Sequence, residues 1–423
     1  MFLTGIFRKD NPFDYIVLGF IMKLFGEVAG FFISYHIADA VFGVISWILI
    51  IGGYTRIPEK LKFPFTGGYQ FLLSFFLLQC FVMIVRGYLI DYNYIWFTTI
   101  GAINYHLFQP TYILCYLMPL VALIPIRYYN FRLLLKYSTI FVLITVGLSF
   151  VYRNDILQSS LQSAMGFKID DESTVSATQV AFYGSFVFLP LLYKYLPNKQ
   201  WRINLVGLVV SLLLVVIGAR RGGVLLTSML LLGALYYRAE AKSRSTRMFT
   251  ILISAGAAVV IAYFVLQSVM ASFLLERGLE NTRSYVEESM FSQMSTTDWI
   301  FGKGLNGRYY CPIKEDDYLE GWRYGIETGF YNLVLKGGFL LAVTYVLLLV
   351  IPAFKGLFKS RNLFCKAAGF YLSYNLLSMW PFGILQFRLN FFIIWLIIVC
   401  CMNKQVLMMN DEEIKKHFFY NLR

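Results

Sequence analysis

The chain has 423 residues, of which 58% are hydrophobic and only 14% charged, against roughly a quarter charged in a soluble domain. That deficit excludes a water-facing globular surface. Apolar runs long enough to cross about 30 Å of hydrocarbon recur from end to end, which points to an all-α polytopic membrane protein with no separable globular module. The net charge of +13 is no argument for nucleic acid, because Lys and Arg gather in the cytoplasmic loops of membrane proteins.

In chain order, spans are expected near Tyr15–Ser34, Ile37–Tyr54, Gly67–Leu89, Leu107–Ile126, Leu133–Val151 and Ser176–Leu196. They continue with Ile203–Gly218, Gly222–Tyr237, Met248–Met270, Thr328–Ile351, Leu363–Trp380 and Gly383–Met402, about twelve in all. Loop charge supports the layout. Arg8 and Lys9, then Arg56, Lys60 and Lys62, then Arg127, Arg132 and Lys136 fall on alternate connections. So do Lys194, Lys199 and Arg202, the run Arg238–Arg247, and Lys355, Lys359, Arg361 and Lys366. Every second loop is basic, so these loops and both termini are expected in the cytoplasm. The first apolar helix is expected to stay as a span rather than be cleaved.

Two segments on the opposite face are long, Arg153–Val175 and Ala271–Ile326. The second, residues 271–326, is the largest non-apolar stretch, and a connection of that length is usually functional. Five of the six cysteines lie in apolar runs and only Cys311 falls in this loop, so no disulfide is expected. His36, His106 and His417 are scattered without metal-ligand spacing. The acidic clusters Asp170-Asp171-Glu172 and Glu315-Asp316-Asp317 read as solvated loop charges. Asp39 and Asp91 are weaker acid candidates near the outer face. Lys23 and Glu27, four apart in the first span, read as an internal ion pair.

Three features could carry chemistry. The turn Gly218-Ala219-Arg220-Arg221-Gly222-Gly223 joins two apolar runs on the outer side, the wrong side for positive charge. A lone Arg at membrane depth costs about 2.5–3.5 kcal/mol on the insertion scale, so two adjacent ones need partners. They suit a bound phosphate or carboxylate, or else snorkel to headgroups or pair with a loop acid. Within the long loop, Arg277 and Arg283 come early, and Phe301-Gly302-Lys303-Gly304-Leu305-Asn306-Gly307-Arg308 is a Gly-rich turn without the Ser/Thr of a nucleotide loop. It reads as a loose phosphate cradle or as an ordinary turn. Finally, Glu327 stands at the mouth of the tenth span, where a carboxylate suits a general base, a helix N-terminal charge or a salt bridge.

The run Ile217–Leu225 resembles the Ser-Arg-Gly turn of the O-antigen polymerase and ligase superfamily. In that family the turn joins two spans on the periplasmic side, and a further span and a long periplasmic loop with early arginines and a late Phe-Gly-x-Gly turn then follow; Phe301-Gly302-Lys303-Gly304 is similar. The family loop closes on His-Asn with a Gly about eleven positions on; here Glu327-Thr328 takes that slot and Gly338 the Gly. The resemblance covers about 205–350, less than half of the chain.

It implies a GT-C-like membrane glycosyltransferase of a bacterial inner membrane, with its site facing the periplasm, a glycan donor on undecaprenyl diphosphate and a lipid-linked acceptor. Neither metal nor other cofactor is implied. A chain-length regulator is a partner by analogy alone. Glu327 would be the base, and Arg220, Arg221 and Arg283 would hold the departing diphosphate. Arg277, Gly302, Gly304, Arg308, Arg323 and Tyr324 would contact substrate. With Glu for His at position 327, polymerase fits better than ligase, which uses the same chemistry. A polysaccharide or lipid transporter is the alternative from another class.

Overall fold

The computed structural model describes residues 11–30, 35–90, 109, 111–154, 188–217, 221–240, 282–312, 321–380, 383 and 385–419. The expected span Met248–Met270, the turn residues Gly218, Ala219 and Arg220, Arg277, Asp91 and both acidic clusters lie outside them.

The described chain is helical apart from one two-stranded ribbon. In order come α1 (Pro12–Gly30), α2 (Tyr35–Thr55), α3 (Gly67–Ile90), α4 (Ile113–Leu117) and α5 (Phe131–Val151). After them come α6 (Asn198–Ile217), α7 (Arg221–Glu240), α8 (Thr282–Ser292) and α9 (Thr296–Phe301). Strands β1 (Tyr309–Tyr310) and β2 (Trp322–Arg323) pair antiparallel, with Tyr309 opposite Arg323. The chain closes with α10 (Gly329–Lys359), α11 (Leu363–Ser378), α12 (Leu389–Met402), α13 (Lys404–Met408) and α14 (Asp411–Phe418).

Among the described residues, four helical stretches, Gly67–Gly87, Phe131–Val151, Gly222–Ala239 and Gly329–Lys359, are long and apolar enough to cross a membrane. Large apolar side chains face outward along them, among them Phe71, Leu78, Phe81, Phe150, Leu225 and Phe358. A water-soluble monomer rarely carries so much contiguous apolar surface; hydrocarbon is the solvent it suits. Where helices meet, small residues admit close approach. A Cβ on Gly53 of α2 would lie 2.4 Å from Ile16, and one on Gly26 of α1 2.7 Å from Phe42.

Three expected spans differ in the structure. The described part of Leu107–Ile126 is not one helix: α4 has five residues and passes into 3-10 turns at Met118–Leu123 and Ile126–Tyr128. Pro119 and Pro125 lack the N–H that an α-helix needs. Leu189–Tyr195, within the expected Ser176–Leu196, is likewise 3-10, with Pro190 at its start. The last expected span, Gly383–Met402, is helical only from Leu389.

α10 runs past the expected Ile351 to Lys359 and is interrupted at Gly338, where φ is +71°. Its outward apolar stripe is Phe339, Val343, Leu347, Val350, Phe354 and Phe358, one helix face. That stripe covers about 29 Å at 1.5 Å per residue, close to a hydrocarbon core. Before the interruption, Leu333 to Gly338 are all buried. The first nine residues of α10 are thus a platform for the loop, and the remainder has the length of a span.

At the other end of the bundle the C-terminal helices are tied down. Asn362 caps α11 through the Cys365 N–H (2.8 Å) and donates to the carbonyls of Val406 and Met409 (2.8 and 3.0 Å). Asp411 accepts from Lys194 (2.8 Å), from the Tyr195 hydroxyl (2.6 Å) and from the Leu363 N–H (2.7 Å). Burial alone would raise the Asp411 pKa, but these donors outweigh it and hold the carboxyl below its ordinary value. A depressed carboxylate stabilises the fold above its unfolded pKa of about 3.9, and that stabilisation is lost as pH falls through the lowered value. Asp411→Asn should therefore cost about 1–2 kcal/mol at neutral pH. Thermal unfolding in detergent would read this as a lower midpoint, and the wild type should converge on the variant in acid.

Candidate functional site

The loop preceding α10 is built against α10 and α3. A Ser295–Asp298 capping box starts α9. Trp299 stacks on Phe339 (5.3 Å) and Phe291 lies edge-on to Tyr331 (5.0 Å), so α8 and α9 cover the N-terminal part of α10. The chain then turns through Gly302 and Gly304, both at positive φ. Gly338 interrupts the helix just beyond Leu335 and Lys336, whose carbonyls accept the Lys303 N–H (2.7 Å) and the Gly304 N–H (2.9 Å). The loop thus supplies donors where the helical ladder is broken. The Leu305 N–H reaches the Met83 carbonyl of α3 (3.0 Å), and Asn306 accepts from the Tyr112 hydroxyl.

This places the Gly-rich turn differently from a phosphate cradle. The Gly302 N–H goes to the Asp298 carbonyl (2.8 Å), the Gly304 N–H to Lys336, and the Gly307 N–H to the Gly304 carbonyl (2.9 Å). The backbone donors that would hold an anion are engaged by protein. The glycines are needed for contact distance: a Cβ on Gly302 would sit 2.2 Å from the Lys336 carbonyl oxygen, and one on Gly304 2.5 Å from the Gly87 nitrogen. Cations surround the turn. Arg86 donates to the Gly302 carbonyl (3.0 Å) and lies 3.6 Å from Asp298, while buried Lys336 donates to the Gly307 carbonyl (3.0 Å). Burial lowers the pKa of Lys303, with Asp298 opposing the shift.

Next to the turn, four of the expected site residues come together around the ribbon. Arg308 donates to the Tyr324 hydroxyl (3.3 Å) and lies over the Trp322 ring, 4.6 Å from its centroid. The Tyr309 hydroxyl donates to the Gly325 carbonyl (3.2 Å). Burial pushes its phenol up to about 12; the Arg323 guanidinium beside it works the other way, and the Glu327 carboxylate adds to the rise. Arg323, opposite Tyr309 in the ribbon, and Glu327 thus both lie within electrostatic reach of Tyr309. Glu327 itself is exposed and precedes Thr328, the N-cap of α10.

Thr328 donates to Glu287 of α8 (2.9 Å). Arg283 is one helical turn before Glu287, so its position shares the face of α8 that meets the mouth of α10. Arg221 begins α7, which packs on α6, on α11 and on the Leu189–Tyr195 turn.

A second charged cluster brings Lys23 and Glu27 together with Arg388, which was not singled out from the sequence. Glu27, 3% exposed, lies 2.7 Å from the Nε of Arg388, the N-cap residue of α12. Lys23, also buried, is one turn along α1. In place of the expected Lys23–Glu27 pair, the ion pair seen for Glu27 is with Arg388, a cation from the far end of the chain whose long side chain reaches across from α12. One signal was available, since Arg388 is a lone charge inside the last apolar run.

Comparison with known protein families, with curated proteins and with solved structures finds no match to this chain.

Proposed function

We propose that this chain is a bacterial inner-membrane, GT-C-like glycosyltransferase of about twelve spans that polymerises lipid-linked polysaccharide repeat units on the outer side. The observation that carries the reading is the gathering of Arg308, Arg323, Tyr324 and Glu327 at the mouth of α10, where the Arg283-bearing helix also docks. A terminal sugar hydroxyl of the acceptor loses its proton to Glu327 and attacks the anomeric carbon of the donor glycan. The bond from that carbon to undecaprenyl diphosphate breaks, and the configuration there inverts. Negative charge grows on the leaving diphosphate, where Arg220, Arg221 and Arg283 act. Fixed cations aimed at developing charge supply the largest catalytic contributions.

The test is elongation of lipid-linked repeat units by purified protein, read as chain length on a gel. Arg220→Ala and Arg221→Ala should each slow elongation by about 10²-fold or more, and Glu327→Gln by about 10²–10⁴-fold. Full elongation by all three variants would sink the assignment.

A second reading, a transporter of polysaccharide or lipid, is favoured by the buried Glu27–Arg388 pair and the short α12. Charges and interrupted helices within the bundle are features of transporters. Substrate movement into reconstituted vesicles, without elongation, would select it.

A further inference from the structure

We infer that the tip of the outer loop, Ile300 and Phe301 at the end of α9, is a wedge that inserts into the outer leaflet of the membrane beside α10. Both side chains are exposed, Ile300 by 43% and Phe301 by 45%. A scattered exposed apolar residue means little, whereas a contiguous patch marks an interaction surface. Here the patch is continuous with a face that already suits hydrocarbon. A Cβ on Gly338 would overlap the Ile300 carbonyl, so the tip abuts α10 at its interruption. Phe339, the next residue, is the first of the outward stripe that runs to Phe358. Trp299 joins the two by stacking on Phe339 (5.3 Å). The tip therefore lies where the stripe begins, at one edge of a stripe about as long as the hydrocarbon is thick.

The same level follows from α3. After the tip the chain packs on α3 through Gly304 against Gly87, and through the Leu305 N–H to the Met83 carbonyl (3.0 Å). By then α3 has carried exposed apolar side chains from Phe71 to Val85, about 21 Å of rise. Arg86, one residue on and partly exposed, stands where a cation at the end of a span snorkels to the interface. α9 is itself graded along its axis. Thr296 and Thr297 in its first turn are exposed and polar, while Ile300 and Phe301 close it. Its C-terminal end is the end suited to acyl chains, and Gly302, at φ +72°, turns the chain back. The neighbouring rings are those of an interfacial belt. Phe330 lies 6.3 Å from Phe339, and Tyr331 lies 5.9 Å from Trp380, which is 65% exposed just past the end of α11. Trp and Tyr concentrate at the boundary between headgroups and acyl chains. The occupant is lipid rather than a protein partner, because the patch runs on without an edge into the stripe that lipid covers. A loop anchored there holds Arg308 and Tyr324 near headgroup depth, where a substrate carried on a lipid presents its polar group.

The test is immersion depth, read by electron paramagnetic resonance on the full chain in nanodiscs of phosphatidylethanolamine and phosphatidylglycerol. The single variants Ile300→Cys, Phe301→Cys, Thr296→Cys and Phe354→Cys each carry a nitroxide. The six native cysteines are buried, and the wild type taken through the same labelling supplies the background. All four positions are exposed, so the substitutions leave the packing in place; if one of the two tip variants fails to fold, the other carries the measurement. Collisions with oxygen, which dissolves in acyl chains, are compared with collisions with a water-soluble nickel chelate. The expected oxygen-to-nickel ratio at positions 300 and 301 is at least about threefold that at 296 and approaches that at 354, as for side chains buried about 5–10 Å into the interface. A ratio at 300 and 301 no higher than at 296 would overturn the inference, because the tip would then stand in water. Low collision with both reagents at 300 and 301 would overturn it as well, because protein would then cover the tip.

Discussion

Gly338→Ala is expected to lose most of the folded protein, seen as aggregation on size-exclusion chromatography in detergent or as a fall of many degrees in the thermal midpoint. Two costs combine. The residue has φ +71° and ψ −177°, a region essentially confined to glycine that costs an L-residue about 1–3 kcal/mol. The new Cβ would also lie 2.0 Å from the Ile300 carbonyl oxygen and 2.2 Å from its carbon. Those atoms are backbone, so no side-chain rotation relieves the overlap. The loop would have to lift, taking with it the hydrogen bonds from Lys303 and Gly304 to the broken turn of α10. Each buried polar group left unpaired costs about 1–3 kcal/mol, so a total above about 4 kcal/mol is expected. Leu341→Ala, three residues on in the same helix, is the comparison: it removes apolar contacts and leaves the knot intact.

Arg388→Met should be the second large effect. Breaking a buried ion pair by removing one partner leaves the other charge uncompensated, typically at about 3–5 kcal/mol. Glu27 is 3% exposed, so solvent does little to offset the stranded charge. Adding Glu27→Gln to Arg388→Met should restore much of the loss, because the stranded charge is then gone. That recovery, measured as thermal midpoints of the singles and the double, separates a true pair from two independent contacts. Additive losses would show that Glu27 and Arg388 do not act together.

How much of this was legible depends on the range of the interaction. α3, α5 and α7 follow from runs of apolar residues, because the transfer of a helix into hydrocarbon is a sum over sequence neighbours. Pro119 and Pro125 already announced that the fourth apolar run is broken, yet apolarity alone hides the break. Glu327 could be named from its charge and position, and Arg308, Arg323 and Tyr324 from the resemblance; the structure places Arg308, Arg323 and Tyr324 on or beside the β1–β2 ribbon and Glu327 just after it. The Gly302–Gly304 turn read equally as a loose phosphate cradle or an ordinary turn, because Gly-rich spacing is shared by anion loops and by backbone close contact. Only the packing of Gly304 on Gly87 and of Gly302 on Lys336 shows which of the two this turn serves.

By itself the sequence determined an all-helical, lipid-suited chain with one large polar loop. Those properties come from local helix geometry and from summed apolar transfer. Tertiary structure alone decided that α10 breaks at Gly338, that the loop repairs the break, and that Glu27 meets Arg388. Each of these depends on which carbonyl or carboxylate a distant donor can reach. That is set by how elements far apart in the chain pack together, and no sum over neighbours contains it.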